Sequence, residues 1–368
     1  MVKEEWFAEA IAEEPDVFVL VGHMPVSYDN WPTVFDAVRA VHPLTPILIF
    51  GHTHIRDCRQ YDGRSMALES GRYMETIGWM SADLDAAKGN ANNISFTRRY
   101  MDQNRVTYEY HTQQSNSTFD TAEGRSITYG LQELAVDFDL SYLFGTAPQD
   151  YTINQNPYPS NGSLLSLFIE DAVPTALAIN NTRADIPNIM ITNSGSQRFN
   201  VFAGPFTKNA AGADERRRKR GEFERELWKR SEEFGRGEVE TVFRRWLEDM
   251  DRRARSGEMG AERRDAVVAA QNLTLGYVTT DSCPGAGDDT LHLALPYYDV
   301  PDFIGSIAPN VTADTPIDLV FVDFIEAQLL GIVNGLQTEK NYTDSDVMLY
   351  SEVLGNEALG IYAQVAWN

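Results

Sequence analysis

The sequence predicts an α/β fold in two domains, and three observations carry that expectation. Two short apolar runs rich in β-branched residues, Asp16 to Gly22 (DVFVLVG) and Pro46 to Gly51 (PILIFG), alternate with helical periodicity. That order, helix then strand then helix then strand, belongs to a sheet layered by helices. A second pattern of the same kind begins at Leu164, beyond a polar stretch. A chain of 368 residues, 43% of them hydrophobic, has enough apolar material to bury two cores.

Taken in order, residues 3 to 14 read as an acidic amphipathic helix with Trp6, Phe7 and Ile11 on its apolar face, closed by Pro15. The run from Asp16 to Gly22 has no polar alternation, the pattern of a strand covered on both faces. A helix is expected from Trp31 to Val41, and a second buried strand from Pro46 to Gly51. Ser65 to Leu84 and Ile94 to His111 read as further strands, with alternation in Val106-Thr107-Tyr108-Glu109-Tyr110. Residues 114–162 are rich in Asn, Pro and Ser and read as a linker with one helix near Thr128 to Val136. Beyond it come a helix from Leu164 to Ala178 with a kink at Pro174, a strand from Asn188 to Thr192, and elements at Ile317 to Phe324, Ile325 to Leu336 and Glu357 to Trp367.

Residues 211–269 differ in composition. Arg216-Arg217-Arg218-Lys219-Arg220 opens the block, and Val239, Val242, Phe243, Trp246, Leu247 and Met250 recur at helical spacing among charges. Because acids interleave with the bases, the block reads as a solvated helical insertion with one apolar stripe.

Charge narrows the function. Lys plus Arg number 31 against 54 Asp plus Glu, a formal net charge of −23, so a nucleic acid polymer would be repelled on average and is not expected as a partner. A small anionic substrate stays open if bound metal supplies local positive charge. No run approaches the roughly 20 apolar residues of a membrane span, and the start, Met1-Val2-Lys3-Glu4-Glu5, lacks the apolar segment of a signal peptide. Asn-x-Ser/Thr sequons at Asn93, Asn116, Asn161, Asn180, Asn272, Asn310 and Asn341 nevertheless point to the secretory pathway, vacuole or exterior. The two cysteines, Cys58 and Cys283, have no zinc-site spacing and are expected as free buried thiols. Oligomeric state is not written in the sequence.

The chemistry gathers at two places. His23 ends the first buried strand, and His52 and His54 follow the second at i, i+2 spacing, each loop led by a glycine, Gly22 or Gly51, that lets the backbone turn. Strand carboxyl ends open on crevices where α/β proteins bind ligands, and neutral imidazole is the commonest metal ligand. His42, His111 and His292 lack such a setting and read as structural.

Gly22-His23 followed by Gly51-His52-Thr53-His54 resembles the last two motifs of the calcineurin-like metallophosphoesterases. Further on, Ile191-Thr192-Asn193-Ser194-Gly195-Ser196-Gln197-Arg198 resembles the Asn-Gly-Gly-Gly-Ile-Arg signature of 5'-nucleotidase C-terminal domains, Glu170-Asp171-Ala172 stands where that domain has its helical Asp-Ala, and NSGSQRF…FAGPFTKN is similar to the fungal branch of that family. The resemblance implies the C-terminal part of a four-layer α/β/β/α metallophosphoesterase sandwich over 1–113, the linker at 114–162, and a 5'-nucleotidase-like C-terminal α/β domain over 163–368 that carries the insertion. It implies two divalent ions, Zn, Mn or Fe, with His23 and His52 ligating one and His54 the other. It also implies contacts from Asn193 and Arg198 to a small phosphorylated substrate such as a nucleotide. The expected reaction is phosphomonoester hydrolysis by a hydroxide bridging two metals.

The family's earlier motifs, Asp-x-His, Gly-Asp-x-x-Asp and Gly-Asn-His-Asp/Glu, are absent before His23, so no catalytic acid or bridging carboxylate is assigned and the first half of the catalytic domain is expected to be missing. Neither aromatic of the family's base-stacking clamp can be placed. An active enzyme in the complete protein is the expectation; the alternative is an inactive short product that serves as an interaction module.

Overall fold

The computed structural model describes residues 1–368 except 29, 52, 88–91, 212–226, 236–273, 313–314 and 339, with only the backbone described at 86–87, 227–235 and 275. The chain forms two compact units, one of Met1–Ala122 with Met259–Pro296 and one of Glu123–Glu258 with Tyr297–Asn368. Strand and helix mix in both, an α/β architecture.

The first unit is built on strands β1 (Phe18–Val21), β2 (Ile47–Phe50), β3 (Arg56–Arg59) and β4 (Ser65–Ser70), in the order β1-β2-β4-β3. β1, β2 and β4 are parallel, in register Phe18↔Ile47↔Ser65, and β3 runs antiparallel to β4. The helix Trp31–Val41, with Pro32 in its first turn, covers one face; its Trp31, Val34, Phe35 and Val38 pack with Ile47, Ile49 and Ala67. Burying that apolar stripe stabilises by roughly 25 cal/mol per Å². A hairpin of β5 (Thr76–Ala82) and β6 (Phe96–Asp102) follows.

Several expectations are corrected here. β1 sits at the sheet edge with burial alternating along it, Phe18 and Leu20 half-buried and Val19 and Val21 exposed, so among the described residues one of its faces is left uncovered. The alternating stretch at 106–110 is helix Arg105–Thr112, not strand: the Asn104 side chain accepts from the Thr107 N–H at 2.9 Å and nucleates the first turn. The thiols are not free. Cys58 and Cys283 are joined in a disulfide with Cα atoms 5.5 Å apart. Residues 274–296, expected in the second domain, lie in the first unit, where β11 (Thr274–Tyr277) and β12 (His292–Ala294) pair and residues 278–282 bond along the free edge of β3. Those edge bonds are Val278 O to the Arg56 N–H, Arg56 O to the Thr280 N–H and Cys58 O to the Ser282 N–H, each 3.0 Å.

In the second unit, β7 (Leu143–Ala147) pairs with β9 (Gly204–Thr207), so the segment expected as a linker carries a strand as well as the helix Ala122–Asp137. The main sheet has the order β13-β8-β14-β10-β15, formed by β8 (Asn188–Asn193), β10 (Leu227–Gly235), β13 (Phe303–Gly305), β14 (Pro316–Val322) and β15 (Val347–Leu354). β8 and β14 are parallel and the other pairs antiparallel. β10 overturns part of the expected helical insertion, because this charged segment is hydrogen-bonded on both sides within the sheet. The apolar stripe at 239–250 lies outside the described residues. Residues 164–177 are helical throughout, and a π-helical stretch, Leu167–Ala172, precedes Pro174, whose missing N–H relaxes the local bonding there. Leu164, Phe168, Val173 and Ala176 form the core with β8, β14 and the helix Ala358–Ala366. Among the described residues no helix is long and apolar enough to cross a membrane.

Candidate functional site

Because β1 and β2 are parallel neighbours, their carboxyl ends open on the same edge of the sheet. β1 ends at Val21, Gly22 follows, and His23 is exposed beyond it. β2 ends at Phe50 and leads through Gly51 into the turn that carries His54; His52 lies outside the described residues. His54 is half-buried and holds a left-handed φ of 61°. Such a conformation costs a non-glycine residue roughly 1–2 kcal/mol, and strain of this kind collects at ligand sites. The His54 ring centroid lies 6.1 Å from that of Tyr73, in a turn where Tyr73 (φ 52°) and Met74 (φ 60°) are left-handed too.

The two histidine loops are pressed together. A Cβ on Gly51 would lie 2.4 Å from the Met24 carbonyl oxygen and 2.6 Å from Glu69 Oε1, so only glycine fits. Trp31 Nε1 donates to the Met24 carbonyl at 3.0 Å and pins the first loop from the helix side. Beneath both loops lies Glu69 of β4, which accepts the Val26 N–H on Oε1 at 2.9 Å and the Thr53 hydroxyl on Oε2. Burial pushes its carboxyl above the ordinary value, against the donors from Thr53 and Val26 that pull it down. Sequence reasoning passed over Glu69; the signal was a glutamate in the otherwise apolar run Met66-Ala67-Leu68.

Around β3 the first unit holds a second polar cluster. Arg98 is bidentate to Asp281, with Nε at 2.5 Å and Nη2 at 2.8 Å, and Nη2 also donates to the Cys283 carbonyl at 2.9 Å. The Arg56 guanidinium lies between the rings of Tyr100 and Tyr277, 4.7 and 4.8 Å from their centroids, and pairs with Asp288 at 2.6 Å. Cys58, Asp281 and Cys283 bring three potential donor atoms within 4.8 Å of one another. The sulfurs are covalently joined and the carboxylate is taken up by Arg98, so this cluster fastens rather than ligates. The remaining histidines are engaged structurally: His42 Nε2 with the Ile11 carbonyl at 2.6 Å, His111 with Asp289 at 3.0 Å and His292 with Asp102 at 2.8 Å.

In the second unit Asn193 ends β8, and its Oδ1 is buried without a hydrogen-bond partner among the described residues. Arg198, exposed, lines an open pocket with Phe168, Gln197, Phe199, Asn356 and Leu359. The sequon residues Asn93, Asn116, Asn161, Asn180, Asn310 and Asn341 are all exposed, and Asn272 lies outside the described residues.

Residues 150–213 and 211–330 match the family model of the NAD nucleotidase C-terminal domain. The crystal structure of a 5'-nucleotidase from Candida albicans superposes with a TM-score of 0.78 at 28% identity, over 99% of this chain and 66% of that one. The chain belongs to the 5'-nucleotidase-like metallophosphoesterase family. Among curated relatives of this 5'-nucleotidase-like chain, an uncharacterized protein of Schizosaccharomyces pombe is 31% identical over 95% of this chain and 60% of its own length. A protein of Arthroderma benhamiae named as secreted is 28% identical over 100% of this chain and 65% of its own. The chain thus spans less than two thirds of the length of the relatives it matches.

Proposed function

We propose that the protein is a metal-dependent phosphoester hydrolase of the 5'-nucleotidase kind, acting on a small phosphorylated substrate such as a nucleotide. One observation carries this reading: two neighbouring parallel strands each deliver a glycine-led histidine loop to the same sheet edge, and one buried carboxylate accepts a hydrogen bond from both loops. The donor set fits divalent cations, since imidazoles on tight loops at strand ends suit Zn, Mn or Fe. His23, His52 and His54 would hold them. The chemistry such cations supply when bound is acidification of a coordinated water and stabilisation of the attacking and leaving oxygens.

What the chain's own residues do is orient. The Gly51 contact and the Glu69 hydrogen bonds fix the loops, while Asn193, with its buried unpaired oxygen, and Arg198, with its forked donors, are suited to a base or ribose donor and to a phosphate oxygen. A secretory route, with N-glycosylation at the exposed sequons, is part of the proposal; the disulfide and the secreted relative support it.

The test uses the protein expressed from its complete coding sequence, assayed on a generic phosphomonoester and on nucleoside monophosphates with Zn, Mn or Fe and with a chelator. His54→Ala is expected to lower kcat/KM by roughly 10²–10³-fold, several kcal/mol of transition-state stabilisation. An unchanged rate sinks the assignment. Intact metal binding without turnover of any phosphoester favours an interaction module instead. An endoglycosidase should reduce the apparent mass of the protein recovered from its secretory pathway.

A further inference from the structure

The carboxylate beneath the histidine loops has no counterpart among the ligands assigned to them, yet its position couples the two. Glu69 lies on β4, adjacent to β2 in the sheet, and is only 3% exposed. Its two oxygens divide their work: Oε1 takes the Val26 N–H, three residues beyond His23, and Oε2 takes the Thr53 hydroxyl, the residue between His52 and His54. The space a Cβ of Gly51 would need is closed by the same Oε1 and by Met24 of the other loop. Val26 is itself fully buried, and its carbonyl accepts from the Tyr61 hydroxyl, so the first loop cannot slide away from the carboxylate without losing both partners.

We propose that Glu69 is a positioning residue that sets the separation of the two glycine-led loops that begin at Gly22 and Gly51, so that the histidines they carry can hold divalent cations; this rests on the metal reading above. A carboxylate suits the task because both of its oxygens accept. In Glu69→Gln one oxygen becomes an NH2 group. Turned toward Thr53, it can donate to the hydroxyl but strands the Thr53 backbone N–H that also bonds Glu69; turned the other way, it strands the Val26 N–H, and in either case one loop is released. A buried donor left without its acceptor costs as much as a lost hydrogen bond or more, so the released loop moves rather than staying put.

The experiment compares the protein expressed from its complete coding sequence with Glu69→Gln and with Thr53→Val, a near-isosteric change that removes only the hydroxyl donor and guards against a variant that fails to fold. Two readouts are taken: amide hydrogen exchange at residues 22–27 and 51–54, and the affinity for Mn²⁺ alone by calorimetry, with His54→Ala as the reference for the site. Faster exchange in the histidine loops, unchanged exchange in β8, and a Kd for Mn²⁺ weakened by about 10–100-fold in Glu69→Gln are expected, because partners behind metal ligands commonly tune affinity by that factor. Thr53→Val should loosen 51–54 and weaken the Kd in the same direction. Unchanged exchange in both loops overturns the positioning role. Loosened loops with an unchanged Kd overturn it too, leaving Glu69 as a stabiliser of the fold. Wild type that binds no Mn²⁺ dependent on His54 defeats the metal reading itself, and with it this proposal, a result distinct from either of the others.

Discussion

Replacing Cys58 and Cys283 together by alanine should lower the melting temperature of the first unit by roughly 10–20 °C. The bond joins residues 225 apart in sequence, so reduction frees a long loop in the unfolded chain. Loop-closure entropy for that separation gives about 5 kcal/mol at 25 °C, and shortening the effective loop to allow for a second unit that stays folded lowers this only slightly, since the dependence on length is logarithmic. For a unit of this size each kcal/mol moves Tm by about 2–4 °C. Alanine is preferred to serine because both sulfurs are buried, Cys58 at 0% exposure, and a hydroxyl there would add its own desolvation cost. The assay is differential scanning calorimetry of wild type, wild type with reductant, and the double variant. The last two should coincide well below the first. A first-unit transition that stays within about 2 °C across all three would refute the claim that this bond holds 274–296 to β3, as would two thiols that titrate in the unreduced, denatured wild type.

Two further outcomes follow from the same unit. Arg98→Ala strands the Asp281 carboxylate in a site where both side chains are almost fully buried, at 3% and 4% exposure, so unfolding by urea should lose about 3–5 kcal/mol; a loss under about 1 kcal/mol would mean that water or a rearranged donor already satisfies Asp281. Asp57 is pushed above the ordinary carboxylate value, first by burial and against the donor from Ser27 at 2.7 Å. A folded-state pKa raised above the unfolded value makes the native state bind its proton more tightly. The contribution is therefore full below about pH 4 and is lost as pH rises through the raised value. Asp57→Asn should remove that decline, so Tm measured across the acidic-to-neutral range should fall less steeply in the variant, and parallel profiles would contradict the sign.

What could be read locally was read. The helix Trp31–Val41 and the strands β1 and β2 announce themselves because their apolar spacing and their glycine stops are properties of adjacent residues, and the histidine loops inherit that legibility from the strands that end in them. The helix Arg105–Thr112 was misread because a five-residue alternation weighed more than one capping side chain, Asn104. The other misreadings were non-local. Nothing near Cys58 signals Cys283, and nothing in Leu227–Gly235, with its Lys, Arg and two Glu, signals a strand bonded on both sides. In such a strand the backbone partners in β14 and β15, distant in sequence, decide the conformation over the residue's own preference.

Glu69 belongs to the same class. A lone carboxylate in the buried strand β4 looks like a defect when only its neighbours in sequence are considered, because an uncompensated buried charge is costly. Its compensation comes from Val26 and Thr53, which only the β1-β2-β4 order brings within reach. The misfit in the strand is therefore informative in its own right: a sequence keeps an acid among Met66, Ala67 and Leu68 where donors converge on it from elsewhere, and here both donors come from the loops that carry the histidines.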